Sequence, residues 1–109
     1  MGRATVDGYC DTLDALIVAL CADFPRRAEA VLQNRSERRT LMEYRYVNFK
    51  MYEGAAEIVG ERLAVTYIIE IGKHIGYANS VADGISDTTY KLRKLEVKLN
   101  IARKLHLLD

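Results

Sequence analysis

The chain has 109 residues, of which half are hydrophobic and 28% are charged, and its formal net charge is +1. A chain of this length forms one domain with a modest core, to which oligomerisation would add materially. Its apolar run at residues 15–21 is too short to cross a bilayer and too closely preceded by Asp11 and Asp14 to be a signal-peptide core. We therefore expect a cytoplasmic protein with no membrane partner.

The near-neutral total conceals an uneven distribution of charge. Residues 1–34 hold three cations and five acids, whereas residues 85–109 hold six cations and three acids. A basic tail suits an anionic partner, although a solvated helix face with intrahelical ion pairs has the same composition.

An apolar stripe at helical spacing predicts the first helix over residues 4–24. Cys10 and Cys21 would lie on one face of it, about 16 Å apart along the axis, too far to pair with each other. We expect two buried free thiols in a reducing compartment. The helix must end or bend before Pro25, where Asp23 is a candidate cap for a short second helix that runs to Leu32.

A long central helix is predicted from Ser36, within a proline-free segment that extends to residue 77. The main stripe consists of Leu41, Tyr44, Val47, Met51, Ala55 and Ile58. Tyr46, Phe49 and Tyr52 occupy another face, where a core or subunit-interface role is favoured over base stacking. The pattern allows one continuous helix or a kink or break at Gly60.

Residues 61–76 form the next predicted helix, in which Gly72 would allow another helix to approach closely. Residues 77–85 follow as a connection that contains helix-breaking residues. His74 and His106 belong to no metal-binding motif, and no phosphate-loop or nucleophile motif occurs. We therefore predict no metal site, no cofactor and no enzymatic activity.

The last predicted helix covers residues 86–108, with Ser86 as its N-cap. Two apolar stripes lie on nearly opposite sides of it, so one packed neighbour cannot bury both. One stripe consists of Leu92, Leu95, Leu99 and Ala102, and the other of Tyr90, Val97, Ile101, Leu105 and Leu108.

A helix that ends in a glycine-containing turn and is followed by a Ser-capped basic helix is typical of a helix-turn-helix. The second helix would then read double-stranded DNA in the major groove. The predicted DNA-binding residues are Ser86, Thr88, Thr89, Lys91, Arg93, Lys94 and Lys98.

The strings E-I-G-K-H-I-G-Y, S-D-T-T-Y-K-L-R-K and I-A-R-K-L resemble the carboxy-terminal half of small phage and prophage regulators of the ArpU type, and more distantly sigma-factor region 4. The resemblance covers residues 61–108 and implies a DNA-binding helix-turn-helix. It makes Ile71, Gly72, Gly76 and Tyr77 scaffold positions and residues 86–94 the DNA-facing ones. This chain departs from the pattern because Ser86 lies nine residues beyond Tyr77, so the turn is either expanded or degenerate.

The predicted fold is a single all-α domain of four to five helices, with a long central helix and a long C-terminal helix. Residues 1–60 would supply core and association surfaces, and residues 61–109 a helix-turn-helix-like half. The predicted function is a phage- or prophage-type DNA-binding transcriptional regulator that acts as a homodimer or a higher homo-oligomer. The alternative is a non-enzymatic helical assembly or adaptor protein that does not bind DNA.

Overall fold

The computed structural model describes residues 8–81 and 84–109 of the chain. Over these residues the chain forms α-helices and one short 3-10 helix, and the predicted all-α class is confirmed. The elements are α1 (Asp11–Ala22), α2 (Phe24–Gln33), α3 (Arg38–Val59), α4 (Glu61–Gly72), the 3-10 helix (Tyr77–Asn79) and α5 (Asp87–Lys104). The first helix was predicted over residues 4–24, of which residues 4–7 lie outside the described residues. The prediction is wrong for residues 8–10, which are not helical, since α1 begins at Asp11.

The junction between α1 and α2 falls at Pro25, as predicted. Proline sits in the first turn of α2, where its missing N–H costs no intrahelical bond. The predicted capping role of Asp23 is wrong, because its side chain makes no bond to a helix amide. The carboxylate instead accepts from Nε of Arg26 at 2.7 Å.

The two cysteines differ in environment, which corrects half of the prediction. Cys21 is fully buried in α1, and this burial raises the pKa of its thiol to about 12. Cys10 is exposed, because α1 begins only at Asp11 and Cys10 is the extended residue before it. Both thiols are free.

The central segment is broken at Gly60, which decides between the two possibilities that the sequence left open. Gly60 has a φ of +88°, a conformation that residues with a side chain rarely adopt. The predicted start at Ser36 is wrong by two residues, since Glu37 is the N-cap residue and α3 begins at Arg38.

The last two helices end earlier than residues 76 and 108, and both endings have the same backbone pattern. At the end of α4, His74 has a φ of +57°, and the Ile75 amide donates to the Glu70 carbonyl at 3.0 Å. At the end of α5, His106 has a φ of +62°. These are Schellman-type endings. The sequence did not reveal them because histidine replaces the usual glycine.

One apolar core is built from both halves of the chain, with α5 packed chiefly against α3. Its fully buried large side chains are Tyr67, Tyr90, Ile17, Met51, Ile68, Ile101, Val97 and Cys21. The α3–α5 crossing is close at Gly54, where an added Cβ would lie 3.1 Å from the Ile101 Cα atom. Asn100 donates to the Gly54 carbonyl at 2.9 Å and so fixes the crossing.

The predicted close approach at Gly72 is confirmed. A Cβ atom at this position would lie 2.5 Å from the amide nitrogen of Ala22, so the end of α4 packs directly on the backbone of α1. Only glycine fits such a contact without a shift of one helix.

Both apolar stripes of α5 are largely covered within the chain. Val97 and Ile101 of one stripe are fully buried, and so is Ala102 of the other, while Leu99 is 8% exposed. Leu92 is the large exception, at 52% exposure. The two-sided pattern of α5 therefore reflects packing on α3, α1 and α4, and does not require a second subunit.

A buried arginine joins the first three helices. Arg27 is 4% exposed and donates from Nε to the Asn48 amide oxygen at 2.7 Å and from Nη2 to the Leu20 carbonyl at 2.7 Å. Burial lowers the pKa of Arg27, although the nearby Asp23 carboxylate opposes this effect. The guanidinium thus gives a donor to the Leu20 carbonyl in the last turn of α1 and to the Asn48 side chain in the middle of α3.

Candidate nucleic-acid interface

Ser86 determines where α5 begins, as predicted. Its side-chain oxygen accepts a hydrogen bond from the Thr89 amide at 3.2 Å and lies 3.0 Å from the Thr89 hydroxyl oxygen. Asp87 occupies the first turn, where a negative charge is favourable at the positive end of the helix dipole. Local sequence therefore determines this helix start.

A buried carboxylate holds the start of α5 against α4. Glu70 of α4 is 3% exposed and accepts three hydrogen bonds. The donors are the Tyr90 hydroxyl at 2.6 Å, the Ser80 hydroxyl at 2.7 Å and the Val81 amide at 2.8 Å. One side chain thus ties together α4, the connection that follows it and the second turn of α5. We refer to residues 70–81 and 84–94 as the α4–α5 corner.

The hydrogen bonds decide the protonation state of Glu70. Burial alone would raise the pKa of this carboxyl, but the bonds from Tyr90, Ser80 and Val81, together with the charge of Lys94, hold it below its ordinary value. Burial and the bond to Glu70 raise the pKa of Tyr90 to about 12. At neutral pH a charged carboxylate therefore accepts from a neutral phenol, which is a strong pairing.

A tyrosine joins the two ends of the connection. The Tyr77 hydroxyl donates to the Ile85 carbonyl at 2.8 Å, so residues on either side of positions 82–83 are held together. The Tyr77 ring centre lies 5.9 Å from that of Tyr90, and the Tyr67 ring lies 5.7 Å from Tyr90 on another side. Tyr90 is thus surrounded by aromatic and polar contacts, and the first turns of α5 have a fixed position.

The connection between α4 and α5 is long. Residues 73–86 lie between the two helices and include the 3-10 helix, whereas a helix-turn-helix of the tight kind uses a turn of three or four residues. Three of the four scaffold positions implied by the family resemblance are engaged, since Ile71 is buried, Gly72 packs against α1 and Tyr77 lies against Tyr90. The fourth, Gly76, is exposed, and nothing lies within 4 Å of a Cβ atom added there.

Some of the predicted DNA-binding residues are accessible. Thr88 and Lys91 are exposed in the first two turns of α5, and the exposed Leu92 lies beside them. The Lys91 ammonium lies 3.4 Å from the Asp87 carboxylate, in a pair whose side chains are 72% and 53% exposed. Such an exposed pair is weak and can exchange for another anion.

Other predicted DNA-binding residues are engaged within the chain. The Lys94 ammonium donates to the Ile75 carbonyl at 2.8 Å and lies 5.1 Å from the centre of the Tyr90 ring. The Lys98 ammonium lies 2.8 Å from the Asp14 carboxylate of α1, with 20% of its side chain exposed. Lys98 would have to leave this ion pair to reach a phosphate.

Arg93 and Thr89 are partly buried, so their exposure is intermediate between that of the accessible residues and that of the engaged ones. Thr89 is held by Ser86, as described above. The structure therefore separates the predicted set into an accessible part around Thr88 and Lys91 and a part that stabilises the fold.

The sequence interpretation overlooked Lys73, a cation on the other side of the corner. Lys73 is exposed and lies two residues before Ile75, whose carbonyl accepts from Lys94. The end of α4 therefore adds a positive charge next to the start of α5. The sequence signal for Lys73 was its place in the string E-I-G-K-H-I-G-Y, which carries part of the family resemblance.

Glu70 was also overlooked. Its sequence signal was its position, three residues after Tyr67 and directly before Ile71, on the buried side of α4. A carboxylate at core spacing requires donors, but nothing in the sequence indicates that Tyr90, Ser80 and Val81 provide them.

Within residues 8–81 and 84–109, no group of three or more His, Cys, Asp or Glu side chains is placed to hold a metal ion. In the same described part of the chain, no helix combines the length and the apolar character that crossing a membrane requires.

No protein-family model, no curated protein and no solved structure matches this chain. The resemblance to ArpU-type regulators therefore stays a prediction based on the residues given above.

Proposed function

We propose that this chain is a DNA-binding protein of the phage or prophage regulator type, which places the first two turns of α5 against duplex DNA. The observation that supports this most is the exposed face of Thr88 and Lys91 at the start of a Ser-capped helix that is anchored at Glu70. A surface that recognises DNA must be held in place as well as accessible, because ordering mobile side chains on binding costs part of the binding free energy. The α4–α5 corner has both properties.

The charges of the corner also support an anionic partner. Lys73, Lys91, Arg93 and Lys94 are its cations, while Glu70 is buried and Asp87 is the exposed acid among its described residues. Lysine and arginine near a helix N-terminus contact phosphates and fix the helix on the duplex.

Side chains on the exposed face of α5 have the chemistry that reads base edges. The Thr88 hydroxyl can donate or accept at a base edge, and the half-exposed Leu92 offers an apolar contact such as a thymine methyl group favours. Both lie within a turn of Lys91, so one helix face would combine base reading with a phosphate contact.

The proposed active form is a homodimer, since helix-turn-helix proteins bind paired half-sites about 34 Å apart. α5 is largely covered within its own chain, so the subunit contact would use another surface. Sedimentation at micromolar concentration tests this point, and a single species near the 12.4 kDa chain mass would contradict it.

The second candidate is an adaptor that does not bind DNA. It is favoured by the intrachain contacts of the α5 cations, in which Lys94, Lys98 and Lys104 all bind groups of the same chain. If the lysines of α5 stabilise the fold through these contacts, the basic composition of the helix is explained without a nucleic-acid partner.

Charge reversal at Lys91 separates the two candidates. Labelled duplex DNA of mixed sequence, at about 50 mM salt, should be bound with an affinity that falls steeply as salt rises. Lys91→Glu should weaken binding and reduce the slope of log K against log salt by about 1 or more. Arg103→Glu is the matched control, since it makes the same charge change about 18 Å away along α5.

Equal effects of the two substitutions would show non-specific attraction, and would contradict a contact by the first turns of α5. Absence of any duplex binding by the unsubstituted chain at about 50 mM salt would leave the adaptor as the remaining candidate.

A further inference from the structure

An open apolar groove runs between α2 and α3, away from the α4–α5 corner. Its volume is about 520 Å³. The lining residues are Phe24, Ala28, Val31, Leu32, Tyr44, Arg45, Asn48, Phe49 and Tyr52. Nearly all of these side chains are apolar or aromatic, so the floor of the groove offers a partner a surface that gains from burial.

The apolar surface of the groove is exposed to an unusual degree. Leu32 is 84% exposed and Phe49 is 56% exposed. A second shallow groove on the other side of α2 shares Phe24 and Leu32 and adds Val65, which is 38% exposed. Contiguous exposed apolar surface of this kind marks interaction sites in folded proteins.

Arginines without ion-pair partners stand at one end of the groove. Arg45 lines it, and Arg38 shares a neighbouring depression with Arg45, while Arg35 lines a third depression at the turn between α2 and α3. All three are exposed, and among residues 8–81 and 84–109 none has a carboxylate within ion-pair distance.

The charge at the start of α3 is unfavourable for the isolated chain. Arg38 and Arg39 occupy its first turn, which contains no acid, so two cations lie near the positive end of the helix dipole, and the exposed N-cap residue Glu37 offsets them only in part. Arg39 has a distant partner in Glu43 at 3.9 Å, and both of these side chains are largely exposed. An anionic partner would relieve this repulsion.

We propose that the α2–α3 groove binds an acidic amphipathic helix of a partner protein. The apolar face of such a helix would cover Leu32 and Phe49, and its carboxylates would pair with Arg38 and Arg45. Helix-in-groove recognition uses apolar anchors at i, i+3, i+4 and i+7, which suits an elongated floor between two helices. This inference is independent of DNA binding by α5.

A second copy of this chain fits the groove less well. Its acidic helix is α1, and there Asp14 already receives Lys98 at 2.8 Å and the Tyr9 hydroxyl at 2.6 Å. Asp11 has an interaction of its own as well. The acids of α1 are thus committed inside their own chain, and a separate partner supplies the missing charge more readily.

The test uses labelled synthetic helical peptides of about 18 residues, five helical turns, with Leu or Phe at the anchor positions and Glu on the other face. Fluorescence anisotropy should show binding that weakens with salt. Two control peptides replace the anchors with Ser or the glutamates with Lys, and neither should bind.

Single substitutions in the full chain locate the site. Leu32→Ser should weaken peptide binding about tenfold or more, as expected for an exposed anchor, and Leu92→Ser on α5 should not. Arg45→Glu should weaken binding to a similar degree, and Arg103→Glu should not. The members of each pair are exposed, so the fold should tolerate all four changes.

Four results would overturn the proposal. The first is no binding of the acidic peptides at about millimolar concentration, and the second is equal binding of the Lys peptide. The third is self-association that Leu32→Ser abolishes, which would assign the groove to a second copy. The fourth is binding of duplex DNA that is lost in Arg45→Glu, which would assign the groove to nucleic acid.

Discussion

The Tyr90–Glu70 hydrogen bond should be one of the strongest single polar contacts in this protein. Its oxygens are 2.6 Å apart, the acceptor is 3% exposed and the donor is fully buried. Bonds to charged groups contribute about 1.5–3 kcal/mol, so Tyr90→Phe should lower the free energy of unfolding by this amount. For a chain of this size the midpoint of thermal unfolding should fall by about 7–13 °C.

A double-mutant cycle in urea, followed by circular dichroism, tests whether the two groups act on each other. Tyr90→Phe, Glu70→Gln and the double variant should give a coupling energy of about 1–3 kcal/mol. Tyr46→Phe is the control, because Tyr46 is 50% exposed and loses only a solvated hydroxyl. A coupling energy near zero, or equal effects of Tyr90→Phe and Tyr46→Phe, would refute the reasoning.

The Tyr90–Glu70 contact also predicts that the free energy of unfolding depends on pH. The folded-state pKa of Glu70 lies below its ordinary value, so its ionised form contributes stability above the unfolded pKa of about 4.3. That contribution is lost as pH falls through the lower, folded-state pKa. In Tyr90→Phe the folded-state pKa should rise toward the unfolded value, so the loss of stability on acidification should be smaller and complete at a higher pH in a series of urea unfolding curves.

Three further predictions concern other parts of the fold. Arg27→Met should lower the free energy of unfolding by about 3 kcal/mol or more in urea titrations, because it leaves buried acceptors without a donor. Gly72→Ala should destabilise by about 1–3 kcal/mol through overpacking, whereas Gly76→Ala, with nothing within 4 Å of the added Cβ, should change little. A thiol reagent at pH 8 should modify Cys10 rapidly in the folded chain and Cys21 only after unfolding, since Cys21 is fully buried with a pKa of about 12.

Features specified by local sequence were predictable. The Ser86 cap, the break at Pro25 and the contact at Gly72 depend on one residue type with a definite backbone or steric role. The helix ends at His74 and His106 were not, because histidine in the left-handed conformation has no distinctive sequence signal.

Features that depend on tertiary partners could not be read from the sequence. Spacing correctly placed two apolar stripes on α5, but only the packing of α3, α1 and α4 shows that one chain covers most of both. In the same way, two lysines of the basic face predicted for α5 bind groups of the same chain: Lys94 donates to the Ile75 carbonyl, and Lys98 forms an ion pair with Asp14. Each of these partners is distant in the sequence, and periodicity carries no information about them.

The measurement that most directly tests the proposed function is a titration of the isotopically labelled chain with duplex DNA at low salt, followed by amide chemical shifts. The proposal predicts that shifts concentrate on residues 86–92 and around Lys73, and that they vanish as salt rises to about 0.5 M. Shifts confined to the α2–α3 groove, or no shifts with duplex in excess, would contradict it.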